Sequence, residues 1–490
     1  MNQKMFFSQL HSLIILLFSL LLIKPAYSAN YYVDGSSGND LNSGNSQSPW
    51  KTINHALNLA SGTDTIYLSS GTYYESLSFA PLAKRSVNLV GKSNGDNIPV
   101  ISSDNPNTDT IKLINYKGTI EGVGITGASN ANGITCTGNN GETNTAQIKN
   151  NQIYGNSLGI HATTDSSADK SSPHIYLNQI YSNSTRGIGN MMYSSAIIEG
   201  NYIYSNGNGI EDNAGIGNSE NSTPIIINNI IYENNPSGIS VRDNSNPKII
   251  NNTISNHAKT DLCVAIKVSQ LEEISSLEIT NNIITNNTYG LVSETGQTIS
   301  GNNYNNIWNN SKNDYINFEK GSKDISMDPI FVNLDNKDFR LYPSSPCIDS
   351  AKSENLIEKD IKGTLRPQGV GYDMGAIEYF EGSVLVPPSL TLTIDGGRVT
   401  ASWNSIESSE GYKLYYAPPD VSYIGEIDML TQQTISVDLA SGSAFYVAVK
   451  AYNSFISSEF QDYYHRFGCF LFELYLSHHY FRYRLFHWHY

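Results

Sequence analysis

Charged and amide side chains recur just after a repeated Gly-aliphatic dipeptide, and they are the residues of this sequence best placed to do chemistry. The dipeptides are Gly159-Ile160, Gly187-Ile188, Gly209-Ile210, Gly238-Ile239 and Gly290-Leu291. The residues that follow them are His161, Gly189, Glu211, Ser240 and, by alignment with Ala265-Ile266, Lys267. Slightly further along are Asn190, Asp212, Asn213, Arg242 and Asp243, with Arg186 nearby. Such a set can neutralise a carboxylate and move a proton.

A repeated unit, Asn-x-Ile-x-x-Asn, supplies the elements that would position these side chains. It occurs at Asn151/Ile153/Asn156, Asn178/Ile180/Asn183, Asn201/Ile203/Asn206, Asn229/Ile231/Asn234 and Asn282/Ile284/Asn287, and one residue shorter at Asn252/Ile254/Asn256. The spacing, roughly 23 to 30 residues, is that of a solenoid. Because the Leu-x-x-Leu-x-Leu pattern of leucine-rich repeats is absent, the repeat predicts a parallel β-helix.

The stacking of turns explains how a chain that is rich in Asn and Ile can form a core. Equivalent residues of successive turns, here called rungs, lie about 4.8 Å apart. Inward Asn side chains can therefore bond to the Asn above and below, and the Ile side chains form an apolar column. Tyr154, Tyr181, Tyr204 and Tyr232 share a repeat position and predict an aromatic ladder, with packing as the alternative to sugar binding.

Composition limits the other possibilities. The net charge of -15 makes nucleic acid an unfavourable partner. Cys136, Cys263, Cys347 and Cys469 form no CxxC pair, which excludes a cysteine zinc site and a disulfide scaffold. Residues 1–29 have the pattern of a secretory signal peptide, with an uncleaved anchor as the alternative. No later stretch could cross a bilayer, so we expect a secreted or cell-surface protein.

The opening of the mature chain resembles secreted right-handed β-helix proteins of the pectate-lyase-like superfamily. The similar segments are residues 31–40, 48–53 and 64–73, and with the repeats they cover residues 30–310. The resemblance implies an all-β chain whose right-handed parallel β-helix carries an N-terminal cap, and a short helix is predicted between Trp50 and Ala60. Residues 311–386 resemble the closing segment and linker that follow such β-helices.

The resemblance also implies an activity, the β-elimination of acidic polysaccharides such as pectate, alginate or chondroitin sulfate. Lys267 or Arg242 would be the base, and Glu211, Asp212 and Asp243 would bind calcium. His161, Arg186, Asn190 and Asn213 would contact substrate. A solvated charged face, a non-catalytic surface or adhesive module, and a glycoside hydrolase using Glu211 with Asp243 are the alternatives.

The C-terminal part changes pattern after Val386. Residues 387–460 resemble a fibronectin type III β-sandwich, with Trp403 and Tyr412 predicted in its core and one strand expected to be missing. Residues 461–490 are rich in aromatic residues and His. They suggest either a His-rich metal tract or an out-of-register end.

Overall fold

Three parallel sheets wind into a right-handed β-helix, which confirms the predicted fold class. The computed structural model describes residues 28–93, 97–210, 213–257, 260–269, 277–296, 298–353, 357–395, 397–417, 424–439, 444–454, 456–458 and 470–473. All but the last two residues of the predicted signal peptide, and most of the aromatic tail, lie outside these residues. Two compact units are formed. The first holds residues 1–327, 359–363 and 374–376, and the second holds residues 328–358, 364–373 and 377–490.

Each sheet of the β-helix contains ten strands. The first sheet has Asn30–Val33, Thr65–Leu68, Asn88–Gly91, Thr119–Glu121, Gln147–Lys149, His174–Tyr176, Ile197–Glu199, Ile225–Ile227, Lys248–Ile250 and Glu278–Thr280. The second sheet has Gly71–Tyr74, Pro99–Ser102, Gly124–Thr126, Gln152–Tyr154, Gln179–Tyr181, Tyr202–Tyr204, Ile230–Tyr232, Thr253–Ser255, Ile283–Thr285 and Asn306–Trp308. The third sheet has Leu77–Ser78, Ile111–Ile114, Asn132–Gly138, Leu158–Thr164, Arg186–Asn190, Ala214–Asn218, Ser237–Val241, Val264–Val268, Tyr289–Ser293 and Asn313–Ile316.

The central residue of most strands is aliphatic and points inward, so each sheet contributes one apolar column to the core. In the second sheet, Ile153 pairs with Ile180, Ile180 with Ile203 and Ile203 with Ile231, all without solvent exposure. Short elements complete this unit: the α-helix Ile53–Leu59, the 3-10 turn Leu82–Lys84, and the paired strands Thr143–Asn144 and Lys170–Ser171. The helix lies inside the predicted interval and buries Ile53, Ala56 and Leu57.

Two buried asparagine ladders occupy the turns on either side of the second sheet, as the repeats predict. In one, each Nδ2 donates to the Oδ1 of the next rung, for example Asn178 to Asn201 at 3.0 Å and Asn201 to Asn229 at 3.0 Å. The other ladder differs from the prediction at one rung. Asn256 forms the turn at φ 61°, and the fully buried His257 takes the ladder position. Its Nδ1 accepts from the Asn234 N–H at 3.0 Å.

A column of glycines packs against this second ladder and sets the register of the third sheet. A Cβ on Gly187 would lie 2.7 Å from Gly215 O and 2.9 Å from Asn206 Nδ2, and one on Gly215 would lie 2.8 Å from Gly238 O. The prediction that Gly209 belongs to this column is therefore wrong. Gly209 lies in a preceding turn with φ 89°, and Gly215-Ile216 is the repeated dipeptide on this rung.

The second unit is antiparallel. It contains the pair Phe331–Asn333 and Asp338–Leu341, then a three-stranded sheet of Leu390–Asp395, Arg398–Trp403 and Thr434–Asp438. A four-stranded sheet contains Gly411–Ala417, Gly425–Leu430, Ala444–Tyr452 and Phe470–Glu473. The two sheets share one apolar core, in which Trp403 and Tyr412 are buried as predicted. One strand of the sandwich was expected to be missing, but Phe470–Glu473 pairs with Ala444–Tyr452 and adds a strand to this sheet. The fibronectin type III assignment stays a prediction.

Candidate functional site

The outward face of the third sheet carries the residues singled out in the sequence. One outward column runs through His161, Gly189, Gly217, Ser240 and Lys267, because these residues are register partners on five successive rungs. At about 4.8 Å per rung, His161 and Lys267 lie about 19 Å apart along the sheet. The predicted side chains therefore form two groups, one at each end of this column.

His161 and Arg186 form the first group. They lie on adjacent rungs, since Leu158 pairs with Arg186 and His161 with Gly189. Asp109 stands nearby and accepts a hydrogen bond from the Thr135 hydroxyl at 2.7 Å, and Thr135 is the register partner of His161. Burial lowers the pKa of His161, Asp109 opposes this effect, and Arg186 adds to it. The imidazole Nε2 is inaccessible to solvent and forms no hydrogen bond with the described residues.

Gly217 gives the Arg186 side chain its position. A Cβ on Gly217 would lie 2.6 Å from both Cδ and Nε of Arg186, so the arginine lies directly across this glycine. Two rungs of the column, at Gly189 and Gly217, thus have no side chain of their own. The missing side chain at Gly217 leaves room on the face for the Arg186 side chain.

Lys267 and Arg242 form the second group, on adjacent rungs. Lys267 Nζ lies 3.0 Å from Glu294 Oε2, and the lysine side chain is only 13% exposed. Arg242 Nε lies 3.4 Å from Asp243 Oδ2. Both cations therefore have carboxylate partners, which an incoming anionic group would have to displace.

Two of the predicted substrate contacts are wrong. Asn190 has no solvent exposure and donates from Nδ2 to Asn218 Oδ1 at 3.0 Å, inside the β-helix. Side chains alternate between the two faces of a strand, so Asn190, next to the outward Gly189, points inward. Asn213 is 6% exposed and donates to Asn208 Oδ1 at 2.7 Å.

The predicted calcium ligands do not form a site among the described residues. Glu211 and Asp212 lie outside the described residues, and the column position expected for Glu211 is taken by Gly217. Asp243 is described and faces Arg242. The described part of the chain contains no group of three or more His, Cys, Asp or Glu side chains suited to hold a metal. The calcium site and the glycosidase pair of Glu211 with Asp243 therefore stay predictions, because Glu211 and Asp212 lie outside the described residues.

Sequence reasoning missed Glu294 and Asp109. Glu294 stands three residues after Leu291, the same offset that places Arg242 after Ile239, so the repeat could have revealed it. Asp109 belongs to a rung before the first recognised repeat unit, and no periodic signal pointed to it.

The tyrosine ladder predicted on the second sheet is present. Ring centroids of Tyr154 and Tyr181 lie 5.2 Å apart, those of Tyr181 and Tyr204 5.0 Å, and those of Tyr204 and Tyr232 4.9 Å, with interplanar angles of 6 to 9°. Each inner ring face is covered by the next ring. The ladder therefore offers ring edges rather than faces, which favours packing over sugar stacking.

Comparisons with known proteins add the following likenesses. The structure is similar to pectate lyase Pel9A at 15% identity and a TM-score of 0.41, covering 72% of this chain and 97% of that one. It is similar to a rhamnogalacturonan lyase at 15% identity and a TM-score of 0.41, covering 69% and 95%. It is also similar to a lacto-N-biosidase from Eubacterium ramulus at 13% identity and a TM-score of 0.41, covering 61% and 68%.

The remaining comparisons do not identify an activity. No curated protein matches the chain. Within the described residues, no helix is long and apolar enough to span a bilayer. Residues 36–271 match the family model described as "Protein of unknown function (DUF1565)".

Proposed function

We propose that this chain binds an acidic polysaccharide on the outward face of the third sheet, between His161 and Lys267. The observation that carries the proposal is the Arg186 side chain, which lies across Gly217 in the middle of this face. A planar guanidinium binds a carboxylate through two parallel hydrogen bonds, and a side chain that is already positioned loses less entropy on binding. Arg186 is therefore the main carboxylate-binding group.

Lys267 provides a second cationic position about two rungs from Gly217, where the Arg186 side chain lies. The distance along the sheet is about 10 Å at 4.8 Å per rung. An extended polymer with regularly spaced carboxylates can reach both positions, whereas a single sugar acid cannot. The secretion expected from residues 1–29 would bring the face into contact with polymers outside the cell.

A binding comparison tests this function. Polygalacturonate, alginate and chondroitin sulfate are compared with neutral dextran by isothermal titration calorimetry. Arg186→Gln is expected to weaken binding of the preferred acidic polymer about 10-fold or more, the effect of losing a charged hydrogen-bonded pair. Lys413→Gln, which removes one positive charge from the β-sandwich, is the matched control. Equal binding of dextran and the acidic polymers, or normal binding by Arg186→Gln, would refute the proposal.

Cleavage by β-elimination is the finer form of the proposal. A base removes the proton on the carbon α to the carboxylate, the electron pair forms a carbon–carbon double bond, and the glycosidic oxygen on the β carbon departs and is protonated. Lys267 and Arg242 lie on adjacent rungs, so one sugar residue can contact both. Lys267 is paired with Glu294, so substrate would have to displace Glu294 before Lys267 could act as the base.

Ultraviolet absorbance of the unsaturated product separates binding from cleavage. We expect Glu294→Gln to increase any lyase signal and Lys267→Ala to abolish it. The assay is run with added calcium and with chelator. A complete lack of signal on all three acidic polymers, together with retained binding, would assign the chain to the non-catalytic binding proteins.

A further inference from the structure

A cluster of buried ionisable side chains lies in the second unit, outside the candidate site. Asp373 is 1% exposed, Glu378 2% and Arg366 6%, and the exposed Asp349 adjoins them. The surrounding segment, residues 328–386, has only two short strands among its described residues. Side-chain bonds and backbone hydrogen bonds outside strands therefore hold this segment in place.

Glu378 and Arg366 form the ionic centre of the cluster. Arg366 Nη1 lies 2.7 Å from Glu378 Oε2 and also donates to the Asp373 carbonyl at 3.0 Å. Glu378 accepts from the backbone N–H of Asp373 at 3.1 Å and of Gln368 at 3.0 Å. One carboxylate thus connects three stretches of chain.

Asp373 binds two further stretches. Its Oδ1 accepts from the Asp349 N–H at 2.8 Å, and its Oδ2 accepts from the Tyr379 N–H at 2.6 Å. Asp349 in turn accepts from the Gly371 N–H at 2.7 Å. These bonds therefore connect the stretches of chain around residues 349, 371 and 379.

The charges of the buried core of this cluster do not balance when both acids are ionised. Asp373 and Glu378 then carry two negative charges against the single guanidinium of Arg366, and an uncompensated buried charge is costly. Burial, followed by the charge of Glu378, raises the pKa of Asp373 to about 7, against the lowering effect of the Asp349 and Tyr379 N–H groups and of Arg366. One bound proton makes this buried core neutral.

We propose that this cluster is a proton-dependent latch, which holds the stretches around Asp349, Asp373 and Tyr379 together while it carries one proton and loosens when Asp373 and Glu378 are both ionised. The described groups that act on Asp373 include the carboxylate of Glu378, the guanidinium of Arg366 and the N–H groups of Asp349 and the neighbouring Tyr379. Only Arg366 among them is cationic. Loss of the proton therefore leaves a net negative charge in a buried place.

The direction of the pH effect follows from linkage. The ordinary value for Asp373 is 3.8, and folding raises it to about 7, so the folded segment binds more protons than the unfolded one between these values. Stability of the segment is therefore highest at acid pH and declines as the pH rises through about 7. The opening equilibrium should increase tenfold or more between about pH 5 and about pH 8.

Hydrogen exchange at the Asp349 and Tyr379 amides of the full chain tests the latch. After correction for the intrinsic rate, we expect their protection to fall at least tenfold from about pH 5 to about pH 8. Glu378→Gln should flatten this dependence, because it removes the charge that opposes ionisation of Asp373. Asp338→Asn, which removes a carboxylate paired with Arg340 in the same unit, should leave it unchanged.

A direct titration of Asp373 tests the proposal without a substitution, so it does not depend on whether a variant folds. The Asp373 carboxyl carbon is followed by NMR in the unchanged protein, with a midpoint expected near 7. A midpoint in the ordinary range of an aspartate, or amide protection that does not change with pH, would overturn the proposal. Persistence of the full pH dependence in Glu378→Gln would overturn it as well.

Discussion

The Nδ2 of Asn305 donates to Oδ1 of Asp324 over 3.1 Å, and this bond ends one of the two asparagine ladders. Every asparagine before it donates in the same direction, so the last amide needs an acceptor that has no amide hydrogens of its own. A carboxylate meets this requirement. The second ladder ends in the same way, because Asn310 Nδ2 donates to Asp314 Oδ1 at 2.7 Å.

Replacement of Asp324 should destabilise the β-helix. Besides the two groups of Asn305, its carboxylate accepts from Asn302 Nδ2 at 2.8 Å, the Tyr315 hydroxyl at 3.0 Å and the Gly321 N–H at 2.9 Å. Asp324→Ala leaves these buried donors without an acceptor, and we expect a loss of about 3 kcal/mol in unfolding free energy. Urea denaturation measures it, with the exposed Asp165→Ala as the control. Equal stabilities of the two variants would contradict the role of Asp324 as the acceptor that ends the ladder.

His257 can be replaced by the residue that its ladder position prefers. An asparagine there could accept from the Asn234 N–H and donate to Asn287, as at the other rungs. We therefore expect His257→Asn to match or exceed the thermal stability of the unchanged protein. His257→Ala should lose about 2 kcal/mol, because it leaves a cavity and removes an acceptor. Similar melting temperatures for the two variants would show that the ladder bond contributes little.

The glycine column gives a prediction with an internal control. Gly187→Ala places a Cβ 2.7 Å from Gly215 O, and the backbone there cannot move without disturbing the next rung. We expect a loss of about 1 to 3 kcal/mol, the usual cost of overpacking. Ala265, the one alanine in the column, shows that its rung tolerates a methyl group. Ala265→Gly should therefore cost less than about 1 kcal/mol, and a smaller loss for Gly187→Ala would refute the packing argument.

The sequence predicted the solenoid and its ladders because an identical requirement recurs on every rung. The predicted register was wrong where a rung contains an extra loop. Both Gly209-Ile210 and Gly215-Ile216 satisfy the dipeptide pattern, and only backbone conformation distinguishes the glycine of the turn, at φ 89°, from the glycine of the strand. The same confusion made Asn256 a ladder residue in place of His257.

The candidate site could be predicted only in part. Lys267 and His161 were placed correctly in one outward column, because the dipeptides Ala265-Ile266 and Gly159-Ile160 mark the strands that carry them. Asn190 was misplaced because residues next to each other in a strand face opposite sides. The partnership of Lys267 with Glu294 depends on side-chain conformation across two rungs, for which a periodic pattern carries no information.

The pH response of the β-helix should include a contribution from His161. Folding lowers its pKa from the ordinary value of 6.5, mainly through burial, so the folded state binds fewer protons than the unfolded state just below that pH. Stability should therefore fall as the pH drops through 6.5. Thermal unfolding at about pH 5.5 and about pH 7.5 measures the effect. His161→Gln should reduce the difference between the two conditions, and an unchanged difference would exclude His161 as its source.

Gly217 tests the carboxylate-binding role of Arg186 without altering the charge of the protein. A valine at this position would occupy the space in which Arg186 Cδ and Nε now lie, and would push the guanidinium off the face. We expect Gly217→Val to weaken binding of an acidic polymer about as much as Arg186→Gln does, by about 10-fold or more. Gly189→Val is the matched control, because the contacts of its Cβ would be with Leu158 and Met191 instead of Arg186. Equal binding by both valine variants would show that the position of Arg186 does not determine affinity.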